Sequence, residues 1–310
     1  MQGRKRNAPA RIKVDDLAVS MNEIIHSMAQ DEPLDCSSYQ GLRFDLPFLQ
    51  YEVNFYPSLG GQIESLNRNL PWYTQKHAAN MLGISVKWYR AHLTGEREFT
   101  LDNLARWSIL TGFPAHLPLM NTRYYSLLQH SELNFWNAQT LRLYAEVSRL
   151  PEYRFRTWLA CLYSFKNFNE VHAYRADHAM VDIISHGNYD SIKEHYLGTV
   201  CSNMALIRET CGFSVDEIVE AMQISREYYL SLESGEKPLK ASDVIRFSLC
   251  TGIPMIKWAS GTLYKRIRER HDARLNSIHQ ICKNLNKDEF EKVLAFSQAY
   301  ISCANEFPAI

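Results

Sequence analysis

The sequence predicts a nearly all-α protein that contains one helical unit twice. Residues 74–114 match residues 214–254 at a constant offset of 140 without a gap, and ten of the forty-one aligned positions are identical. Self-similarity at a fixed spacing indicates a repeated structural unit. Apolar residues recur at helical spacing along most of the chain. Strand-like alternation is confined to residues 42–56, where Pro47 interrupts it, so we expect at most a short strand or hairpin there.

The first two helices of each repeat are predicted by their capping residues. Thr74 and its equivalent Ser214 are suited to begin one short helix, and Ser85 and its equivalent Ser225 are suited to begin the next. A hydroxyl oxygen at these positions accepts a hydrogen bond from a free backbone N–H. Gly83 follows the first helix and suits the left-handed conformation in which many helices end. Two short helices joined by a tight turn are therefore expected in each repeat.

The second repeat departs from the first at the turn, where Gln223 replaces the glycine. A non-glycine residue in the left-handed region costs about 1 kcal/mol, which the rest of a fold can absorb. The next helix is expected to carry Tyr89 or Tyr229 inward. A further helix begins near Thr100 or Ser242 and closes at a Thr-Gly-hydrophobic-Pro sequence, because proline cannot continue a helix.

This pattern resembles the lambda-repressor-like helix-turn-helix family, also called the xenobiotic-response-element type. In the first repeat the resemblance rests on Thr74-Gln75, on Leu-Gly-Ile-Ser at residues 82–85 and on Gly95. In the second it rests on Ile-Ser at residues 224–225 and Glu-Ser-Gly at residues 233–235. The resemblance implies an all-α fold of two tandem helix-turn-helix domains, each with a following helical extension.

Both repeats also depart from the family pattern. The first has Leu93 where the family usually has Glu, and His92 where an apolar residue is usual. The second has Val215 in place of a Gln. We expect His92 to pack or cap within its domain and not to bind a metal.

Four segments are expected. Residues 1–57 form a basic arm and an irregular or helical segment, and residues 58–166 form the first helix-turn-helix unit with its extension. Residues 167–197 connect the halves, and residues 198–310 form the second unit with its extension.

The resemblance assigns DNA contact to outward residues near the start of the recognition helix. Lys and Arg can donate to guanine O6 and N7, and an apolar side chain can contact the thymine methyl. A Gln at the start of the preceding helix would contact phosphate. The candidates are Gln75, Ser85, Val86, Lys87, Arg90 and Ala91 in the first repeat, and Arg226, Leu230 and Ser231 in the second. The alternative, a merely solvated helix face, stays open for Lys87 and Arg90.

Basic residues also cluster at the N-terminus. Residues 4–13 carry five bases and no acid, among them Arg4, Lys5 and Arg6. Because no apolar anchor accompanies them, we expect this segment to lack fixed structure in the free protein. It could act as an arm along phosphate or in the minor groove, as in other DNA-binding proteins. A solubilising tail is the alternative.

The charge distribution favours the first repeat as the main DNA-binding unit. The chain as a whole is neutral, with 34 basic and 34 acidic residues. Residues 58–115 hold six bases and four acids, whereas residues 198–256 hold five bases and eight acids. Because the outward residues differ between the repeats, one chain is not expected to bind a true palindrome with its two halves. We expect a homodimer paired through the apolar helices that follow the motifs. A monomer that contacts two unlike half-sites is the competing arrangement.

These observations bear on three classes of function. The first is a sequence-specific transcriptional regulator that binds double-stranded DNA. The second is a protein-interaction module, such as a co-regulator or an antitoxin-like protein, with a possible partner on the helical extensions. An enzyme is not expected, because no catalytic motif is present, and no cofactor or metal site is expected. The seven scattered cysteines indicate reduced thiols, and the absence of a long apolar run argues against a membrane span. We expect a cytoplasmic protein.

Overall fold

The computed structural model describes residues 41–71, 73–124, 137–148, 150–166, 189–253 and 255–306. Within these ranges every regular element is a helix, and the extended pairing is limited to an isolated β-bridge. The expectation of an all-α chain is confirmed for these residues. The elements in chain order are α1 Phe48–Tyr51, α2 Phe55–Asn67, α3 Gln75–Leu82, α4 Val86–Leu93, α5 Leu101–Thr111, a 3-10 helix Leu117–Asn121, α6 Ala138–Val147, α7 Glu152–Lys166, α8 Tyr189–Thr210, α9 Val215–Met222, α10 Arg226–Glu233, α11 Ala241–Thr251, α12 Met255–Trp258, α13 Leu263–Cys282 and α14 Lys287–Glu306.

The short strand or hairpin that the sequence allows over residues 42–56 does not form, because this stretch contains α1 and the start of α2. Asn54 takes the left-handed conformation immediately before α2, with φ of 59°. A left-handed residue turns the chain and ends the alternation of side-chain directions that a strand requires. Phe48 and Phe55 are buried on these helices, so the apolar residues of the stretch enter the core from helices instead.

Three helices of the first repeat have the same bounds as three helices of the second. At the offset of 140, α3, α4 and α5 map onto α9, α10 and α11 without a shift of one residue. Ser85 and Ser225 cap the middle helix of each set, each accepting a hydrogen bond from the backbone N–H three residues later. The internal repeat in the sequence is therefore a structural repeat across these helices.

The turn residues also match in conformation. Gly83 and Gln223 are both left-handed, with φ of 68° and 57°. The Gln223 side-chain amide donates to the backbone oxygen of Leu46 at 2.7 Å. This hydrogen bond offsets part of the cost of a non-glycine residue in that conformation.

The two repeats meet at an antiparallel bridge between Thr100 and Lys240, which are equivalent residues. Two backbone hydrogen bonds flank it: Leu101 N–H to Leu239 O at 2.8 Å, and Ala241 N–H to Phe99 O at 2.9 Å. At the offset of 140, the donor and acceptor residues of one bond are the repeat equivalents of those of the other. Because an antiparallel pair has this reciprocal pattern, an approximate twofold axis relates the repeats at the bridge.

Side chains reinforce this junction. Lys240 Nζ lies 2.6 Å from Glu98 Oε2. The hydroxyl of Tyr56 and Oγ of Ser242 form a hydrogen bond of 2.8 Å. Because each contact joins a residue of the first half to one of the second, the relative position of the repeats does not depend on the backbone bridge alone.

The helices that follow the two repeats pack against each other. Helix α6 contacts both α13 and α14. Arg274 on α13 is completely buried and donates to the backbone oxygens of Ser148 and Leu150, each at 3.0 Å. Its guanidinium also lies 2.9 Å from the carboxylate of Glu152. A buried cation with these partners is compensated both by charge and by hydrogen bonds.

Two helices begin before the boundaries expected from sequence. Helix α2 begins at Phe55, ahead of residue 58, and α8 begins at Tyr189, inside the expected connection 167–197. The rest of that connection, residues 167–188, lies outside the described residues. None of the helices in the described residues is long and apolar enough to span a bilayer.

Candidate nucleic-acid interface

Helix α4 carries most of the candidates that the sequence suggests. Lys87 and Arg90 are exposed, whereas Val86 and Ala91 are half-buried along the edges of the same face. Tyr89 has no exposed surface and points to the opposite side. The outward phase predicted for Lys87 and Arg90 is confirmed, and Ser85 lies exposed at the N-cap of the helix.

Gln75 and Arg90 are brought together although they lie on different helices. Arg90 Nε–H donates to Gln75 Oε1 at 2.9 Å. The amide of Gln75 in turn donates to Glu64 at 3.4 Å, and the hydroxyl of Tyr73 donates to the same carboxylate. This chain of hydrogen bonds orients the Arg90 side chain. The bond to Gln75 uses only Nε, and neither Nη group takes part in it.

A buried polar cluster fixes α4 against the core of the first repeat. The side-chain amide of Asn67 donates to the Tyr89 hydroxyl at 2.8 Å and accepts from Trp107 Nε1 at 2.9 Å. Burial raises the pKa of Tyr89 to about 12, so the phenol stays protonated. The predicted core position of Trp107 is confirmed, since it is 2% exposed. Asn67 therefore ties α4 to α2 and α5.

The charges of the two helix pairs differ sharply. Helices α3 and α4 contain three bases, Lys76, Lys87 and Arg90, and no acid. Helices α9 and α10 contain one base and five acids. Because phosphate contacts are made by cations, the first pair suits a nucleic-acid backbone far better than the second.

Sequence reasoning missed an exposed aromatic residue on α4. Trp88 is 48% exposed, and the guanidinium of Arg97 lies 4.1 Å from its ring centroid. The second repeat has the same arrangement, with Lys237 5.1 Å from the ring centroid of Tyr228. Each repeat thus places a cation over an aromatic face, a contact worth about 0.5–1 kcal/mol at exposed sites. The aligned sequences contain the signal, since positions 88 and 228 are both aromatic and positions 97 and 237 are both basic.

The candidates on α10 are less available than those on α4. Arg226 forms an ion pair with Asp216. Ser231 directs its hydroxyl to the backbone oxygen of Tyr228 at 2.6 Å. Leu230 is 41% exposed and Glu227 is exposed beside it. The outward face of α10 is therefore apolar and acidic, with its one arginine already paired.

The second repeat supports its helix α10 with an ion pair instead of an amide. Arg208 Nε lies 2.8 Å from Glu233 Oε1, and the Tyr229 hydroxyl donates to the same oxygen at 2.6 Å. The hydrogen bond to Glu233 raises the pKa of Arg208, and burial raises that of Tyr229. Leu93 occupies the position of Glu233 in the first repeat, which explains why Asn67 takes over this role there.

His92 packs inside its domain, as expected. Its ring centroid lies 4.7 Å from that of Phe99, and burial lowers its pKa. Among the described residues no group of three or more His, Cys, Asp or Glu side chains could hold a metal ion. The six cysteines within the described ranges are free thiols.

The predicted basic arm, with Arg4, Lys5 and Arg6, lies outside the described residues. Comparison with known proteins adds no relative, since no family model, curated protein or solved structure matches this chain. The geometry of the two repeats is therefore the basis for assigning a function.

Proposed function

We propose that the chain is a sequence-specific, DNA-binding transcriptional regulator whose two repeats are lambda-repressor-like helix-turn-helix domains. The observation that carries this proposal is α4, on which Lys87 and Arg90 stand exposed while Tyr89 anchors the opposite side. A short helix of this kind, inserted in the major groove, places its outward side chains at base edges.

Each candidate on α4 has a role that suits its chemistry. Arg90, oriented by Gln75, donates to guanine O6 and N7, and Lys87 donates to a neighbouring guanine or phosphate. Val86 and Ala91 offer apolar contact to a thymine methyl. The N-terminus of α4 at Ser85 adds backbone dipoles that favour a nearby phosphate.

The charge distribution supports the first repeat as the main DNA-binding unit. Its α3 and α4 carry bases without acids, whereas α9 and α10 carry five acids. Duplex DNA repels an acidic surface and attracts a basic one. A cytoplasmic location stays a prediction.

A protein-interaction module is the second candidate function, and one observation favours it. The exposed side of α10 presents Leu230 beside Glu227. An apolar side chain within an acidic surface suits a basic, partly apolar protein segment better than it suits phosphate.

Binding to duplex DNA at several salt concentrations tests the proposal. Because phosphate contacts release counterions, the logarithm of the affinity should fall linearly with the logarithm of the salt concentration, with a slope of about −0.9 for each phosphate neutralised. Affinity that does not depend on salt would favour the protein-interaction module.

Two double variants distinguish the loss of DNA contacts by α4 from a general loss of positive charge. The double variant Lys87→Ala, Arg90→Ala should lose about 1–3 kcal/mol for each base contact removed. The matched control is Lys287→Ala, Lys292→Ala, which removes the same charge from exposed positions on α14. Equal losses in the two double variants would contradict the assignment of α4.

A further inference from the structure

We infer that one chain is a built-in dimer that places α4 and α10 on a single DNA duplex carrying two unlike half-sites. The inference rests on the proposed function and extends it, because it specifies the stoichiometry and the form of the DNA site. Its starting point is the junction between Thr100 and Lys240.

The junction supplies the symmetry that a two-half-site complex needs. The reciprocal hydrogen bonds beside the bridge place an approximate twofold axis there, and this axis relates α4 to α10. In helix-turn-helix dimers, a twofold axis between recognition helices matches the dyad between half-sites, which lie roughly 34 Å apart. Here both helices belong to the same chain.

Contacts at two places connect the half that carries α4 to the half that carries α10. Lys240 pairs with Glu98 and Tyr56 bonds to Ser242 across the junction. Behind the repeats, buried Arg274 joins α13 to the segment between α6 and α7. Because both ends of each half are tied to the other half, the chain should accept one half-site separation and not a range of them.

The helices that could pair two chains already pack against each other within a single chain. Trp158 on α7 donates to the Ser297 hydroxyl on α14 at 3.0 Å and has no exposed surface. Tyr144 on α6 is fully buried and hydrogen-bonds to His271 on α13. Buried apolar residues of α6, α7, α13 and α14 are thus already packed within one chain.

The outward residues predict different bases for the two half-sites. At the first, Lys87 and Arg90 select guanine. At the second, the exposed carboxylate of Glu227 can accept from cytosine N4, and Leu230 can contact a thymine methyl. At the second half-site, base contacts by Glu227 and Leu230 carry the binding, because Arg226 is paired with Asp216 and the acids of α9 and α10 repel phosphate.

The experiment begins with a duplex selected by the intact chain from a random library of about 30 base pairs, long enough for two half-sites one turn apart. We expect two unlike half-sites and one chain per duplex in light scattering. Inserting about half a helical turn between them should weaken binding at least tenfold, since the second helix would then face the wrong side of the duplex.

Variants of the second helix complete the test. Leu230→Ala and Glu227→Gln, both at exposed positions, should change base preference at the second half-site only. The matched variant Lys87→Ala should change it at the first only. Circular dichroism of each variant checks that the helical content is intact.

The outcomes distinguish this inference from the proposed function. If no duplex is enriched, the proposed function fails. If only one half-site is enriched, or if two are enriched and the insertion has no effect, DNA binding stands and the built-in dimer is overturned. Two chains per duplex would also overturn it and would support the homodimer expected from sequence.

Discussion

Arg246 and Glu52 form an ion pair, with Nη2 and Oε2 2.6 Å apart, across 194 positions of the chain. The same guanidinium donates to the backbone oxygen of Met222 at 2.9 Å, at the end of α9. Arg106 makes the equivalent bond to the Leu82 oxygen in the first repeat. In the second repeat this arginine therefore also attaches the segment before α2 to the opposite half of the protein.

Replacing Arg246, a residue that is 7% exposed, by Ala should lower the free energy of unfolding by about 2–4 kcal/mol, because the Glu52 carboxylate loses its ion pair and the Met222 carbonyl loses a donor. Urea unfolding monitored by circular dichroism measures this change. Arg226→Ala, which breaks an exposed ion pair, is the control and should cost about 0–1 kcal/mol. Equal effects would mean that the contact between Arg246 and Glu52 contributes little.

Replacing Gln75 by Ala should weaken DNA binding about fivefold, because Arg90 loses the acceptor that orients it. A double-mutant cycle gives the measurement: in a chain that already carries Arg90→Ala, the Gln75 substitution should have a smaller effect. If the two losses simply add, Gln75 contacts DNA independently and does not position Arg90.

Replacing Trp88 by Ala should reduce DNA affinity while changing stability by less than about 1 kcal/mol, since the side chain is half exposed and contacts Arg97. Trp88→Tyr reproduces the residue of the second repeat and should retain most of the affinity. Fluorescence anisotropy with labelled duplex reports binding, and thermal unfolding reports stability. A stability loss well above that limit in Trp88→Ala would show that the residue is structural.

Stability should fall as the pH is lowered from 7 to 5. Burial lowers the pKa of His116 to about 3 and that of His271 well below its usual range, and the nearby arginines Arg268, Arg270 and Arg274 lower the latter further. Below about pH 6.5 the unfolded chain binds a proton at each histidine and the folded chain does not. The free energy of unfolding therefore decreases by up to about 1.4 kcal/mol per pH unit for each.

Urea unfolding at pH 7, 6 and 5 tests this dependence. The variants His116→Gln and His271→Gln should each show a shallower dependence on pH, whatever their stability at pH 7. The explanation would be wrong if both variants kept the slope of the original chain.

Local features of the fold were predictable because local chemistry determines them. Ser85 and Ser225 cap helices as expected, and Gly83 takes the left-handed conformation. The absence of a strand at residues 42–56 has an equally local origin, since Asn54 takes the left-handed conformation that few non-glycine residues adopt.

Long-range contacts could not be predicted from the sequence. Thr100 and Lys240 differ in size and charge, and their pairing depends on backbone groups that every residue except proline carries. The contact between Gln75 and Arg90 depends on how α3 and α4 pack against each other, which the sequence does not specify locally. At the candidate site, the residue types were therefore predictable and their partners were not.

Because both partners of the bridge at Thr100 belong to one chain, their pairing does not depend on protein concentration. When separate subunits pair, dilution dissolves the pair, and every substitution is present twice, once on each side of the axis. Joining both partners in one chain gives each a constant effective concentration of the other. A substitution then alters one side alone, so an acidic face such as that of α10 can arise without imposing the same acids on α4.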